Sequence, residues 1–208
     1  KPLQKVIELF TKFPGIGPRQ AARCALFLTT SDRALLQELV AALKNADEKI
    51  SRCVLCYRAM EIMTPEHAYC EYCHSDRRDT RMIAVVERET DMQNMERTSS
   101  FTGLYHILHG VVSPLDQESP KRLHLVELYR RIHGLVSQNA AHPVEIVLAT
   151  NSTAQGDTTA RYIERVLAPL KEKYPHLAIT RLGRGLSLGA ELEYADEITL
   201  KTAFQNRK

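Results

Sequence analysis

Two Cys-x₂-Cys pairs, Cys53 with Cys56 and Cys70 with Cys73, set thirteen residues apart, constrain what this chain can fold into more than any other feature. Each pair can grip a metal ion from a tight knuckle, and the loop between them brings the second pair round to close a tetrahedral site. Four thiolates leave no open coordination position. The spacing therefore predicts one structural Zn²⁺ per chain, stabilising a segment too short to build its own core. Unrelated free cysteines and a redox pair are the alternatives, and the doubled spacing disfavours both. His67 and His74 are close enough in sequence to replace a cysteine. The fifth cysteine, Cys24, lies among Ala21, Ala22 and Ala25 and is expected to be a small buried apolar side chain. An odd count of five, with four in one short segment, points to metal binding in a reducing compartment and away from a disulfide framework.

The 208 residues are 44% hydrophobic and 25% charged, which excludes a largely disordered or fibrous chain. No apolar stretch is long enough to span a membrane, and the first residues lack the pattern of a secretory signal, so a cytoplasmic protein without membrane contact is expected. The missing initiator Met suggests that a few leading residues are absent. Net charge is +3, so nucleic-acid binding cannot rest on bulk basicity. The excess is confined to residues 1–81, with 13 Lys and Arg against 10 Asp and Glu, while residues 82–208 balance at 15 each.

Periodicity divides the chain. Leu3, Val6, Ile7 and Phe10 follow a helical stripe, and Leu35, Leu36, Leu39, Val40 and Leu43 repeat it after Ser31, the expected N-cap. Pro18 suits the first position of a helix running through Ala25 and Leu28. Further on, strands are expected at Met82–Val86, Tyr105–Leu108, Val144–Ala149, Ala178–Leu182 and Glu197–Leu200. Helices are expected from about Thr90, over Leu125–Val136 and over Thr158–Tyr174. Apolar strands alternating with amphipathic helices indicate a mostly parallel sheet covered on both faces. The glycines at Gly183, Gly185 and Gly189, with Arg184, do not form a dinucleotide fingerprint and are expected in a loop packing against the sheet. No phosphate-binding loop for ATP is present.

Phe13-Pro14-Gly15-Ile16-Gly17-Pro18-Arg19 has the form of a helix-hairpin-helix loop. Gly15 and Gly17 let the backbone turn sharply, Ile16 plugs the gap, and free amides at the next helix start can meet a phosphate oxygen. Arg19 and Arg23 are four apart, on one helical face beside those amides. Such an arrangement grips a DNA backbone without reading bases. An ordinary helical connection with solvated arginines is the plainer alternative.

The order of these parts, with Val85-Val86-Glu87, Tyr105-His106-x-Leu108-x-Gly110, Ile146–Asn151, Gly156-Asp157-x-Thr159-Ala160, Gly185-Leu186-x-Leu188-Gly189 and Leu192–Asp196, closely resembles the RecR recombination-mediator family over essentially the whole chain. The resemblance implies an α+β multidomain protein. Its parts are a helix-hairpin-helix region (1–50), a four-cysteine zinc-finger segment (51–80), a Toprim α/β domain (81–180), and a C-terminal segment (181–208) packing on that domain and at a subunit interface.

Catalytic Toprim domains hold magnesium with a glutamate and a later D-x-D pair. By the resemblance, Glu87 matches the glutamate, but Asn151 and Thr153 stand at the D-x-D positions, Gln155 replaces a usual carboxylate, and Asp157 stands where glutamate is usual. Ser152 stands where the family commonly has proline. His106 and His109 are expected to support the loop of the Tyr-His-Ile-Leu-His-Gly stretch. A scaffold domain is implied, with Glu87, Asp91 and Asp157 partner-facing or vestigial. The family implies a non-enzymatic DNA-binding mediator that forms a tetrameric ring, works with RecO and RecF, and loads recombinase onto SSB-coated single-stranded DNA at gaps. It would bind single- and double-stranded DNA without sequence preference. The alternatives are a Mg²⁺-dependent Toprim nuclease or primase-like phosphoryl transferase using Glu87, Asp91 and Asp157, and a protein adaptor whose hairpin binds no DNA.

Overall fold

The computed structural model describes residues 1–62, 68–139, 142–183, 185, 186, 189 and 191–205. His67, Arg184 and Leu188, singled out above, lie outside the described residues. The chain divides into two compact units, Lys1–Ile50 with Glu61–Met63, and Ser51–Met60 with Thr64–Lys208.

The first unit is helical. Pro2 starts α1 (Pro2–Phe10), Pro18 starts α2 (Pro18–Thr30), and α3 spans Arg33–Lys49. The expected N-cap of α3 is displaced by one residue. Asp32 caps it, its carboxylate accepting from the Ala34 amide at 3.2 Å, while Ser31 ends α2 by donating to the Phe27 carbonyl at 2.6 Å. Both residue types can cap, and the carboxylate takes the position where it also meets the positive helix end. Only Ala21 and Ala25 are buried in these three helices. Cys24 is half-buried, so its expected full burial is not met.

A two-stranded sheet, β1 (Ile50–Arg52) with β2 (Ala59–Glu61), flanks the first cysteine pair. The main sheet follows, built from β3 (Asp79–Val86), β4 (Gly103–Ile107), β5 (Val144–Leu148) and β6 (Leu177–Arg181) in the order β4-β3-β5-β6, every pair parallel. β3 opens at Asp79, before the expected Met82; its first half is less buried and carries no apolar run, so periodicity does not reveal it. Its inner end alternates faces as a strand must. Ile83 and Val85 join α5 (Leu125–Gln138) and α6 (Ala154–Lys173) in one core, through Leu128, Ile132, Ile163 and Leu167. Ala84 and Val86 join Met92 of α4 (Glu89–Arg97) in the other. Burial on both faces is why these strands read as continuous apolar runs.

Two expectations fail toward the C-terminus. Glu197–Leu200 is not a strand but the start of α7 (Glu197–Gln205). Asp196 accepts from both the amide and the hydroxyl of Thr199, at 2.9 and 2.7 Å, and this cap outweighs the β-propensity of Ile198 and Thr199. Gly183, Gly185 and Gly189 are exposed and not packed on the sheet.

Candidate functional site

The cysteine pairs converge. The sulfurs of Cys53, Cys56, Cys70 and Cys73 all lie within 4.8 Å of one another, three of the residues buried and Cys73 partly so. Cys56 and Cys70 approach to 3.5 Å, and the Cys70 amide donates to the Cys53 sulfur at 3.3 Å. Such crowding forces the thiols to share protons. Hydrogen bonds from Cys56, Cys70 and Cys73 drive Cys53 far down, and the same contact with Cys53 drives Cys56 up. Cys53 pushes Cys70 up, but Cys56 and Cys73 pull it further down, to about 6. A soft divalent cation is what this donor set fits: it would satisfy all four sulfurs and lend structure without an open position for chemistry. His74 is exposed and stands outside the cluster.

Backbone contacts tie the first knuckle to the main sheet. The Ile107 amide donates to the Cys56 carbonyl at 2.9 Å, extending β4. Arg131 of α5 donates through one nitrogen to the carbonyls of Leu55 (2.9 Å) and Tyr105 (2.6 Å). Tyr57 sits at φ +67, a region uncommon for residues other than glycine. Its amide donates to the Cys53 carbonyl at 2.9 Å, its carbonyl accepts from His109 Nε2 at 2.7 Å, and its ring stacks on His124 at 3.8 Å. Below it, buried His106 donates from Nε2 to the His124 carbonyl at 2.8 Å. Desolvation, followed by the nearby Arg131 charge, lowers its pKa to about 3, so the ring is neutral. His106 and His109, expected to support the loop of their own stretch, instead tie that stretch to the start of α5 and to the knuckle. Tyr57, His124 and Arg131 carried no sequence signal, because their partners are far along the chain.

The hairpin turns at Gly15, whose φ of +80 favours glycine. Ile16 is half-buried, its amide donating to the Phe13 carbonyl at 3.2 Å. Gly17 differs from expectation. Its φ of −79 and ψ of 171 are open to any residue, and a Cβ there would meet nothing within 4 Å. It is the N-cap of α2 but has no side chain to cap with, which leaves the first amides of that helix without a side-chain acceptor. Arg19 and Arg23 are exposed on the first turns of α2.

The Toprim carboxylates take a different form. Glu87, at the end of β3 and only 3% exposed, accepts at Oε1 from the Asn151 amide (2.8 Å) and at Oε2 from Asn151 Nδ2 (2.6 Å). The same Nδ2 lies 3.5 Å from Asp91 Oδ2, which also accepts from the Arg88 amide at 3.0 Å. Asp157 stands in the first turn of α6, 3.5 Å from Arg181, which also grips Glu164 through two nitrogens at 2.8 and 2.7 Å. Magnesium demands clustered anionic oxygens. Here an amide N–H donor occupies the corner where a cation would need an acceptor, and Asp157 is paired with an arginine. The donor set does not fit a catalytic magnesium. Sequence alone exposed the Asn151 replacement but not the Arg181 pairing.

Residues 3–47 match the RecR helix-hairpin-helix family, residues 81–182 the Toprim domain, and residues 185–208 the RecR C-terminal family. The chain is 39% identical over 206 residues to recombination protein RecR of Cutibacterium acnes, covering 99% of this chain and 94% of that protein. For the recombination protein RecR of Chlorobium chlorochromatii the identity is 40% over 205 residues, covering 99% and 95%. The chain belongs to the RecR family. RecR membership gives it a role in recombinational repair, and a RecR Toprim domain with an amide in place of an acidic ligand is non-enzymatic. Among the described residues, no helix is long and apolar enough to cross a membrane.

Proposed function

We propose that the chain is a DNA-binding recombination mediator. It acts with RecO and RecF to load recombinase on SSB-coated single strands at gaps, and its hairpin grips the phosphate backbone of single- and double-stranded DNA alike. The observation that carries this reading is the start of α2: a glycine N-cap without a side chain leaves amides open, and Arg19 and Arg23 stand exposed beside them with no carboxylate partner among the described residues. Open amides and the helix dipole favour an anion, and two guanidinium groups add charge without base readout. The metal of this reading is zinc, one per chain, held by Cys53, Cys56, Cys70 and Cys73. Glu87, Asp91 and Asp157 are vestigial or face a partner, and the protein works at the nucleoid.

The reading includes a ring of four chains. Leu35, Leu36, Leu39, Val40 and Leu43 of α3 are each at least 36% exposed, as is Phe27 of α2, leaving the first unit an open apolar face. A patch of this kind marks an interface. Leu192, Tyr194 and Ile198 near the C-terminus are exposed as well, consistent with a second contact between copies. A ring would set several hairpins around one strand, so weak individual grips add up.

The test is fluorescence anisotropy with labelled DNA at low and moderate salt, with RecO absent and present. Replacing Arg19 and Arg23 together by Ala should weaken binding and flatten the log–log salt slope by about 1.4 to 1.8, two phosphate contacts' worth. Unchanged binding by the double variant removes the grip. Metal analysis should find about one equivalent of zinc per chain for a four-thiolate site.

A further inference from the structure

Between α5 and α6, on the sheet face that carries both helices, lies a groove of about 440 Å³ lined by Pro120, Lys121, Leu125, Val126, Tyr129, Arg130, Tyr162 and Val166. We propose that this groove is a second nucleic-acid site, taking a short stretch of single strand with its bases against the tyrosines and its phosphates on the arginines.

Each helix puts a tyrosine in the lining with an arginine at hand, Arg130 in the lining itself and Arg165 beside it, against Tyr162. α5 brings the half-buried Tyr129 and the exposed Arg130, and α6 brings the half-buried Tyr162 with the exposed Arg165, whose guanidinium lies over the Tyr162 ring at 5.4 Å. A guanidinium stacked on a ring presents a flat cationic surface to the next base. No lining residue is acidic. Neighbouring acids are already engaged: Glu118 with Lys121, Asp116 with Arg122, and Glu164 with Arg181. Arg130 and Arg165 have no carboxylate partner among the described residues, and no described residue hydrogen-bonds either tyrosine hydroxyl. A channel that pairs unneutralised cations with aromatic faces is how proteins hold single strands without reading sequence. The groove's volume is within the range of ligand sites, about 300 to 1,000 Å³. Paired rings and guanidinium groups favour a nucleic acid over an acidic peptide, which would use the charge but not the flat faces. The inference rests on the proposed role of the chain on DNA, but on residues separate from the hairpin.

The experiment uses the full chain, the Arg19→Ala/Arg23→Ala variant and an Arg130→Glu/Arg165→Glu variant. A labelled oligothymidylate reports affinity, and the same strand carrying 5-bromodeoxyuridine reports contacts by photo-crosslinking and peptide mass spectrometry. Adducts on Tyr129 or Tyr162 are expected. The groove variant should bind at least about tenfold more weakly and lose about 1.4 from its salt slope, two single-strand contacts' worth. Its melting curve should match the parent, because both arginines are exposed. If the hairpin variant binds normally and the groove variant does not, the hairpin reading fails and the groove stands. Unchanged affinity of the groove variant, adducts confined to the hairpin, or no binding by any form overturns the proposal. So does loss of binding to a polyglutamate peptide with strand binding intact, which would assign the groove to an acidic protein.

Discussion

Asn151 holds Glu87 at both ends of its carboxylate, the main-chain amide at 2.8 Å from one oxygen and the side-chain amide at 2.6 Å from the other. The side-chain nitrogen also reaches toward Asp91 at 3.5 Å, so one neutral donor bridges two carboxylates from β3 and α4. A cation could do the same work. Asn151→Asp should therefore turn a satisfied cluster into three facing carboxylates and cost about 2 to 3 kcal/mol, the scale of a hydrogen bond to a charged group. Added Mn²⁺ should recover much of that loss in a thermal melt while leaving the parent unmoved. An equal response of both proteins would show that the amide does not substitute for an ion.

Gly156 is pressed into the same corner. A Cβ on it would collide with the Asn151 carbonyl oxygen and lie 2.7 Å from Glu87 Oε1. The first obstacle is backbone and cannot swing away. Gly156→Ala should destabilise by about 3 kcal/mol, at the upper end of overpacking costs. Urea denaturation measures it, and a change under about 1 kcal/mol would mean that the loop from Asn151 yields easily.

Metal removal should be felt beyond the cysteines. Because the Ile107 amide and His109 both donate to the first knuckle, chelation should raise hydrogen exchange in residues 51–60 and at the end of β4, while β5 and β6 stay protected. Exchange confined to the knuckles would show that the two regions are not coupled. Cys73→Ser should reproduce the effect partially.

Acid should weaken the fold through His106. Its folded pKa, near 3, lies below the ordinary 6.5, so the unfolded chain takes up a proton that the folded chain refuses. Stability is whole above about pH 6.5 and declines as pH falls toward 3, by about 2 kcal/mol between about pH 7.5 and pH 5. The Arg131 charge disfavours a second charge there, as does His124 once it takes up a proton. His106→Gln keeps a donor for the His124 carbonyl but does not titrate, so its pH slope in metal-loaded protein should be shallower than the parent's. Parallel slopes would exclude His106 as the source.

What the sequence disclosed was whatever depends on near neighbours. The cysteine spacing gave the cluster because two knuckles carry their geometry locally, and the apolar runs gave the strands because both faces of the parallel sheet are buried. Asp32 displacing Ser31, and Asp196 turning Glu197–Leu200 into a helix, were contests between adjacent caps and propensities that composition does not decide. Arg181 on Asp157 and His109 on Tyr57 were invisible because they join residues 24 and 52 positions apart, and only the folded sheet brings them together.

The backbone bond from Ile107 of β4 to Cys56 of the first knuckle limits how this architecture can change. A segment whose carbonyl completes a buried strand is not a cassette that can be excised or exchanged for another module. Cutting it out would orphan the Ile107 amide in the interior and strip Arg131 of an acceptor, so any shortened descendant would have to rebuild that strand end before it could lose the cysteine knuckle.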